Sequence, residues 1–210
     1  MKLIGMLDSP FVRRVAVSLQ LLGIKFEHQP LSVFHTFEAF AQINPVVKAP
    51  TFICDDGTAL MDSTLILQYA AALAPARKLL ATEPLALQYQ LQLLGLALAA
   101  CEKSVQLLHE IQLGAEDKQH DAWRARVTNQ LLAAYDELEQ HLAQTPPAIS
   151  SDSLDLATVT IAVAWDFTCK KLPQLMDSSH FPALALLSSQ AECLPEFQSA
   201  PLGDGACVCG

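Results

Sequence analysis

The chain has 210 residues, a formal net charge of -9 and 51% hydrophobic residues, which suits one large or two small globular domains and excludes a disordered chain. An acidic surface repels phosphate, and no Lys/Arg cluster offsets it locally, so no nucleic-acid partner is expected. The opening apolar run ends at Asp8, too soon for a signal peptide, and the most apolar later stretch, Leu93 to Cys101, meets Glu102 and Lys103 short of a membrane span; the expectation is a soluble cytoplasmic protein with no membrane partner.

Lys2 to Met6 reads as a short strand. Ser9-Pro10 opens a helix, with Ser as N-cap and Pro at the first helical position. Val12, Val15, Ala16, Leu19 and Leu22 continue it at helical spacing, and Gly23 ends it. Lys25 to Gln29 is a second strand, and Thr36 to Ile43 a short helix stopped by Asn44-Pro45. Two strand-like segments flank Asp55-Asp56-Gly57, a hairpin signal, and a helix follows from about Ser63 to Ala74. The order is β-α-β-α-β-β-α.

Residues 1–75 therefore form an α/β domain, 76–84 a Pro-containing linker, 85–200 an all-helical domain and 201–210 a flexible Gly-rich tail. In the second domain, helices are expected over Leu85–Leu113, mildly interrupted at Gly95, and over Asp121–Ala143. A helix opened by Asp152-x-x-Asp155, as N-cap and capping carboxylate, runs to Phe167; apolar on every face, it belongs in a core. A last helix spans Pro182 to about Glu192.

Six cysteines lie at 54, 101, 169, 193, 207 and 209. The first four sit in apolar segments and read as reduced, buried thiols. Cys207-Val208-Cys209 lacks two further ligands for a metal and reads as an inert, frayed terminus. No metal site is expected.

The α/β order with a polar residue capping the first helix is the thioredoxin-like plan, whose chemistry uses the unpaired N–H groups and positive end of that helix to stabilise an anion. Here Ser9-Pro10-Phe11-Val12 stands where a redox member carries Cys-x-x-Cys, so disulfide exchange from this position is excluded. Ser9 through Val15, the turn Asn44-Pro45-Val46-Val47-Lys48-Ala49-Pro50, the helix start Asp62-Ser63-x-x-Ile66, the pair Asp152-x-x-Asp155 and the ending Leu194-Pro195-Glu196-Phe197 occur in the order and spacing of one family. With these five segments the chain resembles the serine-type glutathione S-transferases of bacteria, over nearly its whole length.

The resemblance implies a detoxifying transferase that uses glutathione as co-substrate against a small hydrophobic electrophile, and a homodimer. Ser9 would be the catalytic hydroxyl, with capping as a second duty; no Tyr precedes Tyr69, so a tyrosine-type site is excluded. Phe11 would line the site. Pro50 would be cis, turning the main chain of Ala49 outward to pair with the cysteinyl part of glutathione. Asp62 and Ser63 would take the ammonium and carboxylate of the γ-glutamyl group. His35 and Lys48 read equally as solvated surface residues; the resemblance puts them near the glycyl carboxylate. Arg13 is read as a structural ion-pair partner and His109 as an ordinary helix histidine. The electrophile pocket is expected from Phe11, the fourth helix and the sixth helix near Trp165. A glutathione-dependent isomerase or peroxidase, or a non-catalytic binding module on the same fold, are the alternative readings.

Overall fold

The computed structural model describes residues 1–113, 121–203 and 205–207; Cys209 lies outside them. In chain order the elements of the first region are β1 (Lys2–Ile4), α1 (Pro10–Leu21), β2 (Glu27–Gln29), α2 (Phe37–Ile43), β3 (Thr51–Ile53), β4 (Ala59–Leu60) and α3 (Ser63–Leu73). The strands form one mixed sheet in the order β2-β1-β3-β4, with β1 parallel to β2 and antiparallel to β3, and β3 antiparallel to β4. This is the thioredoxin-like arrangement expected from the sequence.

The periodic apolar face of α1 is what seats the sheet. Val12, Val15, Ala16 and Leu19 are wholly buried together with Leu3 and Ile4 of β1 and Phe52 of β3, each of these side chains larger than alanine contributing roughly 1.5–3 kcal/mol of apolar burial. Gly5 follows β1 at φ 136, and a Cβ there would lie 2.7 Å from Val12 Cγ2 and 3.3 Å from Ala49 Cβ; only glycine lets the start of α1 and the Ala49 turn approach this closely. The Asp55-Asp56-Gly57 turn joins β3 to β4, with Gly57 at φ 85 and its N–H bonded to Cys54 O at 3.0 Å.

The chain then forms α4 (Pro84–Leu113), α5 (Asp121–Gln144), α6 (Leu156–Lys171), α7 (Pro182–Glu192) and a short α8 (Pro195–Gln198). Gly95 does not interrupt α4. By length and composition alone α4 is apolar enough to cross a bilayer, contrary to the estimate from Leu93–Cys101. In the fold it packs against α5 and α6, with Leu93, Leu94, Ala97, Ala100 and Cys101 buried. The start of α6 also differs from expectation. Leu156 is its first residue, so Asp155 rather than Asp152 stands at the N-cap position, while Asp152 is exposed in the preceding turn, 3.7 Å from Arg77 Nη1. The two aspartates suit either position; the Ser150–Ser153 turn, closed by mutual serine bonds, decides between them.

Two compact units result. One is residues 1–80 with 150–155 and the described residues from Glu192 on; the other is residues 81–149 with 156–191, apart from those not described. The segment after α7 thus folds with the α/β unit, and a buried arginine shows why. Arg13 in α1 grips both carboxylate oxygens of Glu192 at 2.7 and 2.6 Å, donates Nε to Ala200 O at 2.8 Å, and lies over the Phe197 ring. In the helical unit α6 is buried almost throughout. A polar seam runs through Thr168, whose hydroxyl meets Ser104 Oγ and Tyr135 OH, each at 2.7 Å.

Candidate functional site at the ends of α1 and α3

The first element of the site is Ser9. Its φ/ψ of -82/125 place it at the N-cap of α1, where its carbonyl accepts from Val12 and Arg13 N–H at 3.1 and 2.9 Å. Its side chain makes no capping hydrogen bond, a departure from the expected double duty. Among the described residues the hydroxyl has no hydrogen-bond partner, and it sits half-buried at the positive end of a 12-residue helix. Phe11, half-buried, follows in the first turn.

The second element is the turn before β3. The Ala49–Pro50 peptide is cis, as the motif implied. Asn44 holds the turn: its Oδ1 accepts Val46 N–H at 3.0 Å and its Nδ2 donates to Thr51 Oγ1 at 2.8 Å, and that hydroxyl in turn donates to Lys48 O at 2.6 Å. Pro50 is buried and Ala49 half-buried, while Lys48 is exposed. Ile4 pairs with Thr51 in the sheet register, so this turn and the Gly5-to-Ser9 connection leave the sheet at the same end.

The third element is the start of α3. Asp62 is its N-cap, and Oδ1 accepts Thr64 N–H at 3.0 Å and Leu65 N–H at 3.4 Å. That leaves the N–H of Ser63 as a donor of the first turn with no partner among the described residues. The Ser63 hydroxyl is engaged as an acceptor. The residue is 3% exposed, and Oγ accepts from Arg14 Nη1 at 2.9 Å. Arg14, wholly buried in α1, also reaches Thr64 Oγ1 at 3.4 Å and so ties α1 to the start of α3. Sequence reasoning missed it; the available signal was a second arginine within an otherwise apolar helical run.

The structure thus gathers Ser9, Phe11, Ala49, Pro50, Asp62 and Ser63 onto elements that contact one another within the α/β unit. His35 is exposed in the turn before α2, and its main-chain N–H donates to Ser32 Oγ at 3.1 Å. His109 lies half-buried on α4 in the other unit. Among the described residues no group of His, Cys, Asp and Glu has the arrangement of a metal site.

The chain end is held rather than frayed as far as Cys207. Its N–H donates to His28 Nδ1 at 2.8 Å, and the other ring nitrogen of His28 lies 2.7 Å from Gly5 O. The two contacts fix a neutral imidazole that accepts at Nδ1 and donates at Nε2. Burial pushes its pKa below the usual histidine value, partly opposed by the Gly5 carbonyl.

A mixed four-stranded α/β unit with a polar N-cap on α1, a cis-proline turn and an N-capped α3 at one sheet end is a thioredoxin-like unit, followed in the chain by a helical one. The family profile described as the glutathione S-transferase N-terminal domain matches residues 3–78. Over those residues the chain is similar to the glutathione S-transferases. The GST-like protein YibF of Escherichia coli (strain K12) is 28% identical over 165 residues, 78% of this chain and 80% of that protein. A glutathione S-transferase from Methylobacterium radiotolerans, solved with glutathione sulfonate, has the same fold at a TM-score of 0.86 and 24% identity, covering 96% of this chain and 95% of its own. A glutathione transferase family member from Pseudomonas fluorescens Pf-5, solved with bound glutathione, gives a TM-score of 0.80 at 25% identity over 96% and 98%.

Proposed function

We propose that the protein is a glutathione transferase in which Ser9 donates a hydrogen bond to the glutathione thiolate for attack on a hydrophobic electrophile. The observation that carries this reading is the uncommitted Ser9 hydroxyl at the N-cap of α1. A free thiol with a pKa near 8.5 is only a few per cent ionised at pH 7. A hydrogen bond to the charged form contributes roughly 1.5–3 kcal/mol and a helix N-terminus about 0.3–2 kcal/mol, together worth roughly 1–3 pKa units. The thiolate then becomes a major species near neutrality, and catalysis consists chiefly of holding the electrophile against it.

The remaining roles follow from chemistry. The main chain of Ala49, set by cis-Pro50, pairs with the cysteinyl part of glutathione. Asp62 attracts the ammonium, and the Ser63 N–H and hydroxyl take the carboxylate of the γ-glutamyl group. Phe11 packs on the ligand, Lys48 adds positive charge towards the glycyl carboxylate, and His35 lies near that carboxylate. The helical region takes the second substrate. The α/β unit leaves Val46 67%, Leu65 55% and Leu73 45% exposed, apolar surface that supports a homodimer; light scattering at micromolar concentration tests this, and a monomer mass refutes it. The formal net charge of -9 argues against a nucleic-acid partner, and a cytoplasmic location is part of this reading. Retention on immobilised glutathione tests the binding reading. A panel of aryl halides, hydroperoxides and cis-enoic acids then tests the reaction: turnover of the halides supports transfer, and activity confined to either other class overturns it.

A further inference from the structure

Arg13 and Arg14 are neighbours on α1 and both wholly buried, yet they are used differently. Arg13 is taken up by the Glu192 carboxylate and the Ala200 carbonyl. Arg14 points its Nη1 at the two hydroxyls that open α3, Ser63 at 2.9 Å and Thr64 at 3.4 Å. We propose that Arg14 is a positioning residue that makes the start of α3 selective for a carboxylate, here the α-carboxylate of the γ-glutamyl group. This rests on the reading of Asp62–Ser63 as the γ-glutamyl anchor and adds what sets its polarity.

Donor and acceptor counting gives the first argument. A guanidinium has donors only, so Ser63 Oγ must turn a lone pair towards Arg14. Its own O–H is then directed elsewhere as a donor, alongside the unpartnered Ser63 N–H. Two donors side by side suit a carboxylate and repel an ammonium. Without Arg14 the hydroxyl rotates freely and can accept as well as donate.

Charge gives the second. The N-terminus of an 11-residue helix carries partial positive charge. A buried cation behind it adds to that potential, and burial keeps solvent from screening it. Asp62 answers part of this with the oxygen that caps Thr64 and Leu65. A ligand carboxylate answers the rest, while the ammonium on the same carbon is left to the Asp62 side.

The test compares glutathione with 4-aminobutyryl-cysteinyl-glycine, which keeps the amine and lacks the α-carboxylate. Both are titrated calorimetrically into the native protein, Arg14→Gln and Arg14→Met, after circular dichroism has shown each variant folded. The native protein should prefer glutathione by about tenfold or more, the loss expected for one charge-assisted hydrogen bond. In Arg14→Gln, which keeps a donor but not the charge, the preference should fall to about threefold, and in Arg14→Met it should fall further, to what the Ser63 N–H and the end of α3 supply alone. A merely structural role weakens both ligands together and leaves the ratio alone, so a ratio within about twofold of the native value in either folded variant overturns the proposal. If neither variant folds, the Arg14 guanidinium 15N–1H signals of the native protein decide: they should move with glutathione and stay still with the analogue, and equal responses overturn it. A native protein with no preference between the ligands sinks the γ-glutamyl anchor itself, and Arg14's role with it.

Discussion

Replacing Ser9 with Ala separates thiolate stabilisation from helix capping, because the structure assigns the hydroxyl to only one of them. An N-cap serine that bonds the first turn costs about 0.5–2 kcal/mol to remove. Ser9 makes no such bond, so Ser9→Ala should change the urea midpoint very little. The bound thiolate, in contrast, loses a charge-assisted bond of roughly 1.5–3 kcal/mol, which raises the thiol pKa by about 1–2 units. The thiolate's ultraviolet absorbance, titrated against pH with glutathione bound, reads this directly. Affinity carries the same signature by linkage. Where both proteins bind the protonated thiol, near pH 5.5, their dissociation constants should agree within about twofold; above the native pKa the variant should weaken progressively, by about tenfold or more in the alkaline limit. Turnover near neutrality should fall with the thiolate fraction. Coincident thiol titration curves for the native and variant proteins would refute the assignment of Ser9.

Asp62→Ala removes the acceptor of two first-turn N–H groups and should lower stability by about 1 kcal/mol, seen as a reduced urea midpoint without ligand; an unchanged midpoint would mean that the cap contributes nothing. Glu192→Ala removes the carboxylate that pairs with the buried Arg13 cation and should cost about 3 kcal/mol in chemical denaturation, with a loss under about 1 kcal/mol arguing that the pair is dispensable. His28 is more easily ionised unfolded than folded, because burial lowers its folded pKa below 6.5. Its contribution to stability is therefore complete above about pH 6.5 and is lost as pH falls through the lower folded value. Native protein and His28→Gln should diverge in their pH-dependence of unfolding across that interval, and parallel curves would contradict it.

The helix periodicity of Val12, Val15, Ala16 and Leu19, the Asp-Asp-Gly turn and the Asn44-to-Pro50 run carried the α/β topology in local signals: each is a matter of backbone preference or of one apolar face. Those same segments named Ser9, Ala49–Pro50 and Asp62–Ser63, because turn and cap residues advertise themselves by type. Three things needed the tertiary structure. Which aspartate precedes α6 depended on a serine turn whose bonds exist only once it closes. Whether Ser63 faces solvent or Arg14 depended on the packing of α1 against α3, residues 49 positions apart in sequence. Cys207 appeared frayed because nothing near it in sequence satisfies its N–H; His28, 179 residues away, does so. Local preference and apolar period fix which segments are helix, strand or cap. The partner of a buried polar group is fixed by which distant acceptor or donor the folded core brings within about 3 Å, since burial makes any unpaired one costly.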